Sequence, residues 1–287
     1  MFKTSKRIRM QRGKIIAVAG KGGTGKTALS ALLIRELLKC RAERGEEEGG
    51  EEVCILAVDA DPDANLPDAL GLGFGLGFGL ETGTSSDSDF RIRTVGEMRE
   101  SLLEEKQRDA TLDVRSEFEG KIAEIIVEEE RFDLLVMGRP EGPGCYCPVN
   151  HILRMILDTL TQNYDYTVVD CEAGLEHLSR RTTRGVDAML VVLDTTQKSV
   201  KTALRLRRIA EEIGIEVGRL LNVANKIPAG VEEKMKEEAK RQGLEIAEVI
   251  PFDPLIQEYD FKGLPVWDLP DDAPAVAGVR RIAERVV

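Results

Sequence analysis

The chain's pattern predicts an α/β fold: a mostly parallel sheet with helices on both faces. Three observations carry it. Apolar runs of strand length recur between helical stretches. Those runs are near-continuous rather than alternating in polarity. A glycine-rich turn joins the first run to the first helix. Near-continuous apolar strands are those buried on both faces, as in a parallel sheet under two helical layers. Ligands then collect outside the C-terminal ends of the strands.

Lys14–Ala19 (KIIAVA) reads as the first buried strand, and Thr27–Leu38 as a helix with leucines at helical spacing. Between them, Gly20-Lys21-Gly22-Gly23-Thr24-Gly25-Lys26-Thr27 fits G-x-x-x-x-G-K-[ST]. Backbone N–H groups of such a turn and of the helix start, here Gly22 to Ala28, converge on phosphate oxygens. Lys26 is expected at the β/γ-phosphates and the Thr27 hydroxyl on Mg²⁺. The fold class therefore narrows to a P-loop nucleoside triphosphatase. Lys21 is one cation more than the pattern needs.

Further strands are expected at Val53–Val58, Phe132–Met137, Tyr166–Val169, Ala188–Leu193, Leu220–Ala224 and Ile246–Ile250, and helices at Val149–Leu160, Gln197–Ile213 and Val231–Arg241. One domain is expected over 14–287. The basic stretch 1–13 reads as a disordered tail or an over-long start, with Met10 the initiator. Two insertions break the rhythm. Glu43–Glu52 reads as a solvated acidic loop, and the Gly-Leu-Gly-Phe repeat near 71–89 as a flexible insertion.

Composition sets limits. A net charge of −11 argues against sequence-independent nucleic-acid binding, which needs a basic face. With no apolar run of eighteen residues, no transmembrane helix is expected. Pro274–Val287 is short, with only Arg280, Arg281 and Arg285 as cations, and makes a poor membrane-anchoring helix, so no stable membrane association is expected. The basic N-terminus lacks the apolar stretch of a secretory signal, and five cysteines suit thiol or metal chemistry in the cytoplasm better than disulfides.

Several strand ends carry chemistry. Asp59-Ala60-Asp61-Pro62-Asp63 offers carboxylates for Mg²⁺ and for orienting an attacking water, although D-P-D strings are commonly just turns. Asp165–Asp170 (DYTVVD) ends in an aspartate beside the expected Mg²⁺, and Gly174 follows as an N–H donor to a γ-phosphate. Asn225-Lys226 and Pro251-Phe252-Asp253 are base-recognition candidates. The most unusual string is Gly138–Asn150, GRPEGPGCYCPVN. Cys145 and Cys147 can chelate one soft or borderline metal, but a tight structural site needs four ligands. A two-fold dimer would double the pair into four thiolates on its axis. The bland reading is a turn with two inert thiols. His151 and His177 read as surface or capping imidazoles, Cys40 and Cys54 as core residues, and Cys171 as a thiol in the nucleotide site.

Together these residues resemble the deviant Walker A ATPases related to MinD, ParA and the nitrogenase iron protein. Lys21–Thr27 (KGGTGKT) carries the likeness, with switch-like strings at Asp59–Asn65 and Asp170–Gly174. The resemblance implies an ATP/ADP- and Mg²⁺-binding homodimer in which Lys21 reaches the partner's phosphates. It also implies that Asp61 is catalytic, that Asp59 and Asp170 lie in the Mg²⁺-water shell, and that Asn225, Lys226, Pro251 and Asp253 recognise adenine. Within that superfamily, GRPEGPGCYC and D-x-E-A-G-L-E-H at Asp170–His177 resemble the CooC-type ATPases that assist nickel insertion into carbon monoxide dehydrogenase. That likeness implies Ni²⁺ (or competing Zn²⁺) on Cys145 and Cys147 across a dimer. The client would be carbon monoxide dehydrogenase or acetyl-CoA synthase. A positioning ATPase of the MinD/ParA kind and an iron–sulfur scaffold or redox ATPase are the alternatives.

Overall fold

The computed structural model describes residues 13–42, 53–72, 92–138, 160–172 and 185–287. Within them, eight strands form one sheet in the order β3-β4-β2-β5-β1-β6-β7-β8. The strands are β1 (Lys14–Gly20), β2 (Ile55–Ala60), β3 (Val127–Glu128), β4 (Asp133–Val136), β5 (Tyr166–Cys171), β6 (Val186–Leu193), β7 (Val217–Ile227) and β8 (Ile246–Pro251). All neighbours run parallel except the short edge pair β3–β4.

Successive side chains on a strand point to opposite faces, so each central strand feeds two cores. Ile15, Ala17 and Ala19 of β1 enter one, and Ile16 and Val18 the other. The first core is covered by α3 (Val95–Arg108), α4 (Val114–Lys121), α5 (Gln197–Ile213) and α6 (Glu232–Arg241); the second by α1 (Lys26–Ala42), the short α2 (Leu66–Ala69) and α8 (Pro274–Val286). A further helix, α7 (Pro254–Lys262), follows β8. Residues buried on both sides of β1, β2, β5 and β6 account for the unbroken apolar runs.

Helix boundaries follow local chemistry. Thr94 and Glu97 form a reciprocal capping box on α3, and Thr196 caps α5, which ends at Gly214 in the left-handed region. On α8, Val276, Val279, Ile282, Ala283 and Val286 are buried against α1 and β8. Each of these Val and Ile side chains contributes roughly 1.5–3 kcal/mol. The same end is fastened by polar groups. Arg280 Nε donates to Glu36 at 2.8 Å, and Arg35 donates to the carbonyls of Trp267 and Leu269 at 2.8 and 2.6 Å. No helix among the described residues is long and apolar enough to cross a membrane.

The sequence reading located seven of the eight described strands within two or three residues and missed the two-residue edge strand β3; its Gln197–Ile213 helix has the observed bounds of α5. The main difference is β7, which runs on through Asn225 and Lys226 instead of stopping at Ala224. A bulge between Ala224 and Ile227 allows this and leaves Lys226 at φ 59°. The reading made no assignment for α3, α4 and α7, where charged residues dilute the apolar spacing. The expected Val149–Leu160 helix, except for Leu160, and most of the 71–89 insertion lie outside the described residues.

Candidate functional site

The loop Gly20–Thr27 leaves β1, at the centre of the sheet where strand order reverses, and enters α1. Gly23 and Gly25 adopt φ 82° and 86°, which only glycine holds without strain. At Gly25 sterics add to this: a Cβ there would lie 2.6 Å from Asn225 Nδ2. The acceptor side of the loop is occupied. Thr24 Oγ1 donates to the Lys21 carbonyl at 2.8 Å, Asn225 Nδ2 to the Thr24 carbonyl at 2.8 Å, and Lys226 Nζ to the Gly23 carbonyl at 3.2 Å. A turn with its carbonyls bound on one side can offer its amides to an anion on the other. Lys26 is buried, Thr27 and Ala28 are half-buried, and Gly22 and Gly23 are exposed.

Beside the loop lie two carboxylates. Asp59 on β2 and Asp170 on β5 are direct register partners, 0% and 1% exposed. Asp59 accepts the backbone N–H of Asp61 at 3.0 Å and of Leu66 at 2.9 Å. Burial, and then the Asp170 charge, push its pKa up to about 8. Asp170 accepts from Ser30 Oγ at 3.0 Å and from the Thr27 side chain. Burial raises its pKa to about 6, against the lowering influence of Thr27, Ser30 and Lys26. Asp61, half-buried on the following turn, adds its charge to both. That turn is tight: Asp61 Oδ1 accepts from Asp63 N, and Ala64 sits at φ 49°.

The two base-recognition strings fare differently. Asn225 reaches the loop: its side-chain amide N–H donates to the Thr24 carbonyl. Both oxygens of Asp253 are taken by backbone amides, Leu255 N at 3.0 Å and Ala275 N at 3.1 Å, so its side chain ties the start of α7 to the start of α8. Pro251 is the last residue of β8. Cys171 neighbours Asp170 in sequence, but its side chain is fully buried in the opposite core. The sequence suggested a thiol in the nucleotide site; the structure buries it in the core instead. Gly174, Cys145, Cys147, His151 and His177 lie outside the described residues. Among the described residues there is no cluster of three or more His, Cys, Asp or Glu able to hold a metal ion.

Two polar partners were missed. Ser30 stands one helical turn past Thr27, a spacing that places both on the same face of α1. Asp194 ends an apolar strand as Asp170 does, and that signal was available in VVLD. Its carboxylate lies 3.6 Å from Lys21 Nζ.

Comparison with known proteins agrees with this geometry. A family model described as the CobQ/CobB/MinD/ParA nucleotide binding domain matches residues 15–266. An uncharacterized ATP-binding protein of Methanocaldococcus jannaschii is 42% identical over 95% of this chain and 98% of its own length. The carbon monoxide dehydrogenase accessory protein CooC of Rhodospirillum rubrum is 30% identical over 88% of this chain and 89% of its own. The septum site-determining protein MinD of Pyrococcus horikoshii, solved with Mg-ADP, superposes with a TM-score of 0.61 over 96% of both chains, at 21% identity.

Proposed function

The chain belongs to the CobQ/CobB/MinD/ParA nucleotide-binding family, and from that premise we propose that it is a homodimeric, ATP-dependent metallochaperone. Its cargo would be Ni²⁺, with Zn²⁺ competing. Its client would be a nickel enzyme of the carbon monoxide dehydrogenase or acetyl-CoA synthase kind. The observation that carries the nickel reading is the likeness to CooC over 88% of the chain, coupled to the Cys145-Tyr146-Cys147 string.

In this proposal the loop amides from Gly22 to Ala28 and Lys26 hold the triphosphate. Asp61 orients the attacking water, and Lys21 completes the site of the other subunit. Gly174 supplies an amide to the γ-phosphate, and Asn225 fixes the loop beside the base. Lys226, Pro251 and Asp253 frame the base pocket. The residues fit Mg²⁺: two buried carboxylates and the Thr27 hydroxyl are hard oxygen donors beside the phosphate loop. Thr27, Asp59 and Asp170 would hold it, the aspartates partly through water. When bound it would neutralise phosphate charge.

Dimer closure on ATP would bring the two Cys145/Cys147 pairs together around the cargo ion. Loss of the γ-phosphate would loosen closure and release the ion to the client. Burial of the apolar face of α8 supports this reading over a membrane-cycling one, because that face is already used by the core. The test is an anaerobic Ni²⁺ titration with and without MgATP. One ion per dimer is expected, lost in Cys145→Ser and Cys147→Ser. Unchanged stoichiometry in both variants would overturn the nickel site, and a brown protein with stoichiometric sulfide would favour a cluster scaffold.

A further inference from the structure

The second lysine of the loop has a partner on its own chain. Lys21 Nζ lies 3.6 Å from Asp194 Oδ2, the side chains 34% and 21% exposed. Asp194 is the first residue after β6, which pairs with β1, so the two meet across the rim from which the loop departs. The carboxylate is anchored. Its Oδ1 accepts the Thr196 N–H at 2.8 Å and the Thr196 hydroxyl at 2.5 Å, while the Asp194 N–H donates to Ser199 Oγ at 3.1 Å. Burial would raise its pKa, but the Thr196 and Ser199 hydrogen bonds and the Lys21 charge more than offset this, so the group is anionic at neutral pH. One oxygen braces the turn into α5; the other faces Lys21.

We propose that Asp194 is a positioning residue for Lys21: it holds the ammonium on the β6 side of the loop, and ATP-driven dimer closure must release that hold. This rests on the proposed role of Lys21 in the second subunit's site. While paired, Lys21 adds no net positive charge to the loop, and Lys26 alone serves the phosphates. When Lys21 leaves, Asp194 loses its counter-ion, so closure works against the pair. A partly exposed pair is a weak hold, equivalent to a shift of about two- to five-fold in an equilibrium.

The clean variant is Asp194→Asn, which keeps an oxygen for Thr196 and removes only the charge. Two readouts are taken. The first is the acylation rate of the Lys21 amine in nucleotide-free protein, measured by mass spectrometry with Lys226 as internal reference. The second is the ATP concentration at half-dimerisation, from sedimentation. Lys21 labelling should rise about three-fold and the ATP midpoint fall about three-fold, with Asp194→Glu moving both back toward wild type. Unmoved labelling would overturn the hold, and faster labelling with an unmoved midpoint would overturn its release on closure. Lys21→Ala is the separate control: if it dimerises normally, the dimer-coupled function falls, while the labelling result still decides whether Asp194 holds Lys21.

Discussion

Asp59 and Asp170 stand opposite each other on neighbouring parallel strands, in direct register and almost completely buried. Two carboxylates so placed cannot both ionise cheaply without a cation. Without one, the electrostatic strain is relieved by a proton held on Asp59, whose pKa rises to about 8.

That strain sets a pH dependence. In the unfolded chain Asp59 ionises near 3.8; in the fold it does so at about 8. Between those values the folded state binds a proton that the unfolded state has released, so stability falls as pH rises from about 4 to about 8, then levels. The nucleotide-free protein in chelator should melt at a lower temperature at pH 8 than at pH 6, relative to Asp59→Asn. Scanning calorimetry of both proteins checks this. Parallel slopes would mean that Asp59 is ionised in the empty fold.

The two lysines should separate in binding experiments. Lys26→Ala removes a buried cation beside the phosphate loop and should weaken MgATP binding by about thirty-fold or more, since truncating one partner of a buried charge pair costs 2–5 kcal/mol. Lys21→Ala should change affinity by less than about five-fold, yet reduce ATP-dependent dimerisation and hydrolysis. Titration calorimetry and sedimentation check the pair.

Asn225→Ala removes one hydrogen bond to the Thr24 carbonyl, worth about 0.5–1.5 kcal/mol. MgATP affinity should fall up to about ten-fold, and stability should drop by about the same 0.5–1.5 kcal/mol. Asn225→Asp should be worse, because it replaces the donor with an anion beside the phosphates. Equal affinities for wild type and both variants would show that the loop holds its shape without β7.

Asp253→Ala deletes two caps at once. Each is worth about 1 kcal/mol, so urea unfolding should register a loss of about 2 kcal/mol. If the variant is as stable as wild type but no longer discriminates ATP from GTP, the residue reads the base instead of bracing helices.

The sheet and the phosphate loop were legible because both are local signals. Short unbroken runs such as Ala188–Leu193 have the length of strands buried on both faces, and the loop's glycines follow from positive φ. Asp59 and Asp170 were legible as strand-end carboxylates, but their register pairing was not, since it depends on which strands become neighbours. Asn225 was identified as a site residue although its hydrogen bond runs to the loop. A strand-end amide looks the same in sequence whether it serves a base or a carbonyl. The partnership of Lys21 with Asp194 is set by β6 lying beside β1, which no spacing encodes. Asp253 likewise needed α7 and α8 to be placed before its capping role could be seen.

Strand order also dictates when the site can exist. Lys14 of β1 pairs with Tyr166, and Ile16 with Ala188. The strand that carries the phosphate loop therefore waits for neighbours made much later. At about 5–20 residues per second, a nascent chain exposes its loop for about 10–30 s before β5 and β6 enclose β1. Throughout that interval β1 is an unpaired apolar strand with Asp170 not yet beside it. Nucleotide capture is thus a late event in biogenesis, and the nascent N-terminal half depends on slow, non-local pairing to avoid aggregation.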